Sequence, residues 1–512
     1  MHVHRLVRMT AVDTAPNPGA TLSPNSEPPR PAASGLITGT VWSRATWALL
    51  VVLCGALFLD GLDISMVGVA LPSMGSDLHM SPSSLQWIVS AYVLGYGGLL
   101  LLGGRAADLI GRRPVFLTAV GVFGVASLVS AFMTNDAALI ALRLIKGASA
   151  AFTVPAGLSI ITTTFAEGAA RNRALSIYTV CGASGFSLGL VFGGVLTEIG
   201  WRATLVAPAP VALALVAVGY RLLPRHSRER VRLGHLDLAG ALTSTASLLV
   251  LVYAVVDAPN RGWGSAATIV SLVVSAALMA TFVVIERRHS HPLVRLGILR
   301  SSSLLHANLS GAVMAGGYFS FQFVVTLYLQ NSLGWSPLEM ALGFLPAGLL
   351  VVASATKMGA VLERVGTPRL ILGGLGAFVL GYLLFLRVSP GQNYANFLLP
   401  TMLLLGVGFA LSFPSINAQA TAGVAAHEQG LASGLVNTSI QIGGAVVLAI
   451  VTAVLGNRPP AAHGELLPGM STAIGVDVGV AVLGLVVTGA VLLRRRAAAR
   501  RTPDVEVVPV TS

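Results

Sequence analysis

Fourteen stretches of roughly twenty apolar residues dominate this chain. They lie at 46–70, 85–104, 115–134, 137–162, 173–197, 203–223, 236–256, 266–286, 304–330, 338–358, 369–388, 396–420, 430–455 and 472–493. Each can cross the hydrocarbon layer of a bilayer as a helix. Backbone N–H and C=O groups meet no water there, so such a run must satisfy its own hydrogen bonds. Runs this long and uniform exclude the short alternating strands of a membrane barrel. Only 10% of the residues are charged, against about 25% in soluble domains. The expected fold class is an all-α polytopic membrane protein.

The formal charge is +12. A nucleic-acid binder concentrates basic residues on one face with stacking aromatics. Here the basic residues are scattered over short loops and aromatics make up 6%, so no nucleic-acid partner is expected. Topology accounts for the charge instead. With both termini cytoplasmic, that side collects 26 of the 32 lysines and arginines, as the positive-inside rule requires. Residues 1–40 carry Pro, Ser, Ala and Thr without an apolar core. They read as a disordered cytoplasmic N-terminal tail rather than a cleavable signal peptide, with Met9 as a second candidate start. Cys54 and Cys181 lie in apolar runs and cannot make a four-ligand zinc site. Neither a metal nor a cofactor is expected.

The loop "GRAADLIGRRP" (Gly104–Pro114) is echoed by "GAVLERVGTPR" (Gly359–Arg369). Gly104 matches Gly359, Asp108 matches Glu363 and Gly111 matches Gly366, each pair 255 residues apart. A weaker echo pairs Gly193 and Gly194 with Gly443 and Gly444. Parallel six-helix repeats around a central site are a transporter architecture. The repeat divides the chain into an N-terminal six-helix half at 41–223, an inserted transmembrane hairpin with its linkers at 224–300, a C-terminal six-helix half at 301–493, and a basic cytoplasmic tail at 494–512.

At this point the chain resembles the major facilitator superfamily, and within it the fourteen-span drug:proton antiporters of the EmrB/QacA type. "LDISMVGVALP" (Leu62–Pro72) is similar to that family's first-helix motif, with Ser65, Met66 and Gly68 as departures. "GRAADLIGRRP" resembles the superfamily loop motif. "RLIKGASAA" (Arg143–Ala151) matches the fourth-helix motif with Lys146 in place of the usual glutamine. "GFSLGLVFGG" (Gly185–Gly194) resembles the antiporter motif, with Leu190 where proline is usual. "WRATLVAPAP" (Trp201–Pro210) is a degraded form of a further family stretch. The resemblance implies a gating role for Gly104, Asp108, Gly111, Arg112 and Arg113, with Gly359, Glu363 and Gly366 as second-half counterparts. Asp108 would bond the helix start near Gly430 in one access state. The resemblance also implies that Gly185, Gly189, Gly193 and Gly194 seal the cavity against leak; close packing of small residues explains them equally well.

The residues themselves pose a sharper question. Asp60 and Asp63 are three apart in the first span, on one helix face. Arg143 and Lys146 repeat that spacing in the fourth. A charge at the bilayer centre costs about 2.5–3.5 kcal/mol, so such residues face a cavity or a partner. Counting about 1.5 Å per residue from the outer helix ends sets Asp63 level with Arg143, and Asp60 level with Lys146. The expectation is two such pairs lining a central cavity. Burial disfavours an ionised carboxylate and a nearby cation favours it. Separating acid from base would therefore let the acid take up a proton, in competition with a cationic substrate. A permanently paired structural cluster is the alternative. Of the other polar residues within spans, His306, Gln322, Asn417, Gln419, Asn437 and Gln441 are expected to pack through hydrogen bonds, and Asp477 to lie at the outer interface.

The expected function is proton-motive-force-driven efflux of drugs or antibiotics, bulky amphipathic or cationic compounds, by alternating access across a bacterial plasma membrane. The partners are a small-molecule substrate, protons and the lipid bilayer, and a monomer is the expected state. No ATPase, metal or nucleophile motif accompanies the spans, so enzymatic activity is not expected. Two alternatives use the same scaffold: export of an endogenous metabolite, peptide or lipid precursor, and a receptor or scaffold that has lost transport. Fold alone does not choose among them.

Overall fold

The computed structural model describes residues 37, 42–166, 169–224, 237–289, 292, 297–298, 301–389, 393–424, 429–456 and 465–499. Fourteen helices among them are long and apolar enough to cross a membrane. They are α1 (Arg44–Leu78), α2 (Pro82–Ile110), α3 (Arg112–Ser130), α4 (Asp136–Thr164), α5 (Ala169–Ile199), α6 (Trp201–Leu222), α7 (Leu238–Arg261), α8 (Ala266–Arg288), α9 (Ser302–Leu327), α10 (Pro337–Val365), α11 (Thr367–Phe385), α12 (Tyr394–Thr421), α13 (Gln429–Leu455) and α14 (Met470–Ala499). Their ends carry the expected chemistry. Ser81 caps α2 ahead of Pro82, and Ser336 with Glu339 forms a capping box at α10, satisfying donors that a helix start leaves open.

The repeat is visible in the backbone. A single residue, Gly111 at φ 111°, joins α2 to α3, and its counterpart Gly366 at φ 83° joins α10 to α11. Only glycine takes such angles without strain. The loop expected around Asp108 is therefore almost absent: Asp108 belongs to the last turn of α2, and Arg112 and Arg113 open α3. In the first half α1 packs on α5 and α2 on α4; in the second, α9 packs on α13 and α10 on α12. In both halves a glycine of the first helix lets it pack closely on its partner. A β-carbon on Gly61 would lie 2.8 Å from Gly182 O in α5, and one on Gly316 would lie 3.0 Å from Gly443 O in α13.

The halves meet along α2 with α13 and α5 with α10. The inserted hairpin rests on the first of these seams, with α7 touching both α2 and α13 and α8 packed on α7. Thr245 donates to Gly98 O at 3.0 Å. Ser247 and Ser275 each donate to the other's carbonyl, at 2.8 and 2.9 Å. At the bundle end away from the termini, Val67, Leu71, Leu190 and Trp201 of the first half share one continuous apolar core with the second half. There Gln330 Nε2 also donates to Val69 O across the seam at 3.0 Å. A separate core, built around Tyr92, Phe116 and Ile160, fills the other end of the first half and takes in Leu248 and Val252 of α7.

The expected tails are only partly covered. Ile37 is not free tail: it pairs with the α4–α5 link, its N–H donating to Thr164 O at 2.9 Å and its carbonyl accepting from Ala166 N at 3.0 Å. The other residues of 1–40, except Ile37, lie outside the described residues, as do 500–512. Residues 494–499, read as tail, belong to α14.

Candidate functional site

Two glycine-mediated helix contacts build the site. On one side of α1, Gly185, Gly189 and Gly193 of α5 press against the backbone at Phe58, Leu62 and Met66, where added β-carbons would come within 2.4, 2.6 and 2.8 Å. That contact turns Asp60 and Asp63 toward the rest of the first half. Opposite them, Gly147 of α4 leaves only 2.0 Å between a would-be β-carbon and Tyr92 O in α2. This close approach sets Arg143 and Lys146 against α2. Close backbone approach of this kind is what small residues provide in membrane helices.

Asp63 is the centre of the resulting cluster. One carboxylate oxygen accepts from Arg143 and the other from Lys146. Arg143 also donates to Ile88 O at 3.0 Å, and Lys146 to Ser127 Oγ at 2.9 Å. Asp60 accepts from the Tyr92 hydroxyl. The Tyr92 ring lies beneath the Arg143 guanidinium, 4.4 Å from its centroid, and the Phe123 ring lies 4.8 Å from Lys146 Nζ. Desolvated cation–π contacts contribute about 2 kcal/mol each.

The four charges thus come together, with two corrections. The expected Asp60–Lys146 pair does not form: Lys146 joins Arg143 on Asp63, and Tyr92 takes Asp60. A lysine chain is long enough to cross one helical turn, so equal depth alone does not assign partners. Nor does the cluster line an open central cavity. Asp63 and Lys146 are 0% exposed, Arg143 3% and Asp60 7%, enclosed among α1–α4. Beside Asp60 is a small cavity of about 10 Å³ lined by Val120, Phe123 and Thr153, with room for one water at most.

The other expected site residues are placed as follows. Arg113 donates to Tyr220 O and covers the Tyr220 ring at 5.1 Å, contacts within its own half. The Asp108 side chain and the segment just before Gln429 lie outside the described residues. An added β-carbon at Gly104 would lie 3.7 Å from Pro155 Cβ, whereas at Gly359 and Gly366 it would meet no atom of the described residues within 4 Å. Glu363 is exposed. Gly194 faces across the seam, where an added β-carbon would lie 2.8 Å from Leu338 Cα of α10. His306, Gln419 and Thr488 form one hydrogen-bonded network, and Asn417 and Asn437 bond to carbonyls of their own helices at 2.9 and 3.0 Å. Asp477 is not interfacial but 0% exposed.

Tyr92, Ser127 and a chain of rings between the halves add to the expected residues. Phe186 of α5 lies 6.3 Å from Tyr318 of α9, which lies 5.5 Å from Phe409 of α12; Phe409 stacks on Phe413 at 5.2 Å. All four rings are only partly buried. A signal for Tyr318 was present: it stands 255 residues after Asp63.

The sequence profile of the Major Facilitator Superfamily matches residues 53–448. The chain belongs to that superfamily. It is 37% identical over 485 residues to the puromycin resistance protein pur8 of Streptomyces alboniger, covering 91% of this chain and 95% of the relative. It is 36% identical over 473 residues to the cephamycin export protein CmcT of Amycolatopsis lactamdurans, covering 91% and 96%. Among solved structures, the POT-family transporter PepTSo superposes with a TM-score of 0.65 at 15% identity, over 90% of this chain and 99% of that one. As a member of this superfamily the chain is a multi-pass membrane transporter of small molecules. The fourteen-helix fold with its paired halves is that of the superfamily with a hairpin added.

Proposed function

We infer that this transporter exports antibiotics, bulky amphipathic or cationic compounds, across a bacterial plasma membrane in exchange for protons, with both termini cytoplasmic and one chain as the working unit. The puromycin, cephamycin, lincomycin and tetracenomycin C proteins among its relatives are named for resistance or export, which supports the cargo class. The rings Phe186, Tyr318, Phe409 and Phe413, partly buried between the halves, offer an apolar wall for such cargo. The observation that carries proton coupling is the Asp63 carboxylate, buried and bonded to both Arg143 and Lys146.

In this reading the bundle alternates between access states about the α2/α13 and α5/α10 seams. Movement of α1 against α4 loosens Asp63 from one cation, and the acid takes up a proton. Re-forming the pair expels the proton, and the electrical field contributes about 2.3 kcal/mol per charge per 100 mV. Asp60, held by Tyr92, serves the same cluster. The Asp108 turn, with Gly104, Gly111 and Arg112, and the Glu363 turn act as gates, and the domains divide at 41–223, 224–300 and 301–493. The test is transport of a fluorescent drug into inverted vesicles under an imposed pH gradient. Asp63→Asn is expected to abolish gradient-driven accumulation while leaving downhill exchange. Undiminished uphill transport by that variant would refute proton coupling through Asp63.

A further inference from the structure

The second half holds a buried acid of a different kind. Asp477 of α14 is fully buried, and among the described residues no cation contacts it. Its neighbours are Ser320 of α9, whose Oγ is in hydrogen-bonding contact with Asp477 Oδ1, and the aromatic side of α11. Among the described residues Oδ2 has no hydrogen-bond partner, and neither has the Tyr382 hydroxyl, which reaches the same turn of α9 at Gly317. The titratable groups facing it from the surrounding helices are Tyr382, Tyr318 and, farther along α9, His306, which is bonded to Thr488 of α14.

Ser320 stands between two acceptors. Its Oγ also lies 2.6 Å from Gly316 O. A serine hydroxyl has one hydrogen and cannot serve both oxygens. The corresponding residue of the first half, Ser65, 255 positions earlier, gives its hydrogen to the backbone of its own helix, with Gly61 O at 3.1 Å and Leu62 O at 3.2 Å. If Ser320 does the same, the contact to Asp477 needs a hydrogen from the acid. A neutral Asp477 completes the chain: its O–H donates to Ser320 Oγ, and Ser320 donates to Gly316 O. An ionised Asp477 would leave a full negative charge buried beside two oxygens, which costs several kcal/mol.

We propose that Asp477 is a second proton-binding site, occupied by a proton while α9 and α14 stay packed together. The proton leaves only when α9 and α14 part and water reaches the carboxyl; the O–H bond breaks and water takes the proton. The site adds a proton store without a counter-ion to the first-half cluster. It extends the proton-coupled reading, yet occupancy at Asp477 stands on this geometry whether or not Asp63 carries protons.

Infrared spectroscopy of the purified full-length protein at neutral pH tests it. Asp477→Asn is expected to remove one protonated-carboxyl band, and Ser320→Ala to move that band to higher frequency; Asp63→Asn leaves it in place. Loss of uphill transport is not the readout, so failure of the Asp63 mechanism would not touch this result. Should Asp477→Asn fold poorly, the Ser320→Ala shift decides. Spectra in which every protonated-carboxyl band survives Asp477→Asn, or in which Ser320→Ala shifts none, overturn the proposal.

Discussion

Lys146 is bonded to Asp63 inside the membrane-spanning part of the first half, with both residues fully removed from solvent. Arg143 shares the same carboxylate, so two cations depend on one anion. Asp63→Ala therefore strands two charges and Lys146→Met strands none, because Arg143 still neutralises Asp63. Breaking a buried pair by removing one partner costs about 3–5 kcal/mol. Thermal unfolding of the purified variants should place Asp63→Ala well below Lys146→Met, and adding Lys146→Met to Asp63→Ala should recover part of the loss.

Tyr92 has two separable jobs. Its hydroxyl serves Asp60 and its ring underlies Arg143. Tyr92→Phe keeps the ring and leaves Asp60 without its donor, a loss of about 1–3 kcal/mol. Tyr92→Leu gives up the cation–π contact as well. Drug-resistance assays and unfolding curves should rank wild type above Tyr92→Phe and Tyr92→Phe above Tyr92→Leu. Equal behaviour of the two variants would remove the ring from the account.

The glycines of α5 are not equivalent to those of the second-half turn. A β-carbon at Gly189 meets Ser65 Oγ at 2.2 Å and Leu62 O at 2.6 Å, whereas at Gly359 it meets nothing within 4 Å. Gly189→Ala overpacks a backbone contact, a class of change that costs about 1–3 kcal/mol. Gly359→Ala replaces a helical glycine in open space and is expected to stabilise by about 0.5–1 kcal/mol. Melting temperatures in detergent should move in opposite directions.

Gly194 reports on the seam rather than on either half. Its would-be β-carbon lies 2.8 Å from Leu338 Cα and 3.1 Å from Ala341 Cβ, both in α10. Gly194→Val should prise the halves apart at the end away from the termini and raise the labelling of cysteines introduced along that seam, while the first-half core remains intact. Unchanged labelling would mean that the contact is not needed to hold that end closed.

Sequence alone made much of this legible, and the failures have physical causes. Span positions follow from hydrophobic length, and the repeat follows from glycines that the backbone then needs at Gly111 and Gly366. Depth counting brought Asp63 to Arg143. It missed the Lys146–Asp63 bond because a flexible lysine reaches a neighbour one turn away. It missed Tyr92 because a hydroxyl on an aromatic ring leaves no trace in a hydropathy pattern. Asp477 was misplaced because distance from a helix end says nothing about lateral cover, and α9 and α11 supply that cover here. Ile37 was assigned to a tail because one paired residue has no periodicity to detect.

The added hairpin also restricts traffic from the side. Since α7 bridges α2 and α13, the groove between the halves on that flank is shut off from the surrounding acyl chains. Of the two flanks, only the one between α5 and α10, closed by the Gly194–Leu338 contact, has no such hairpin over it among the described residues.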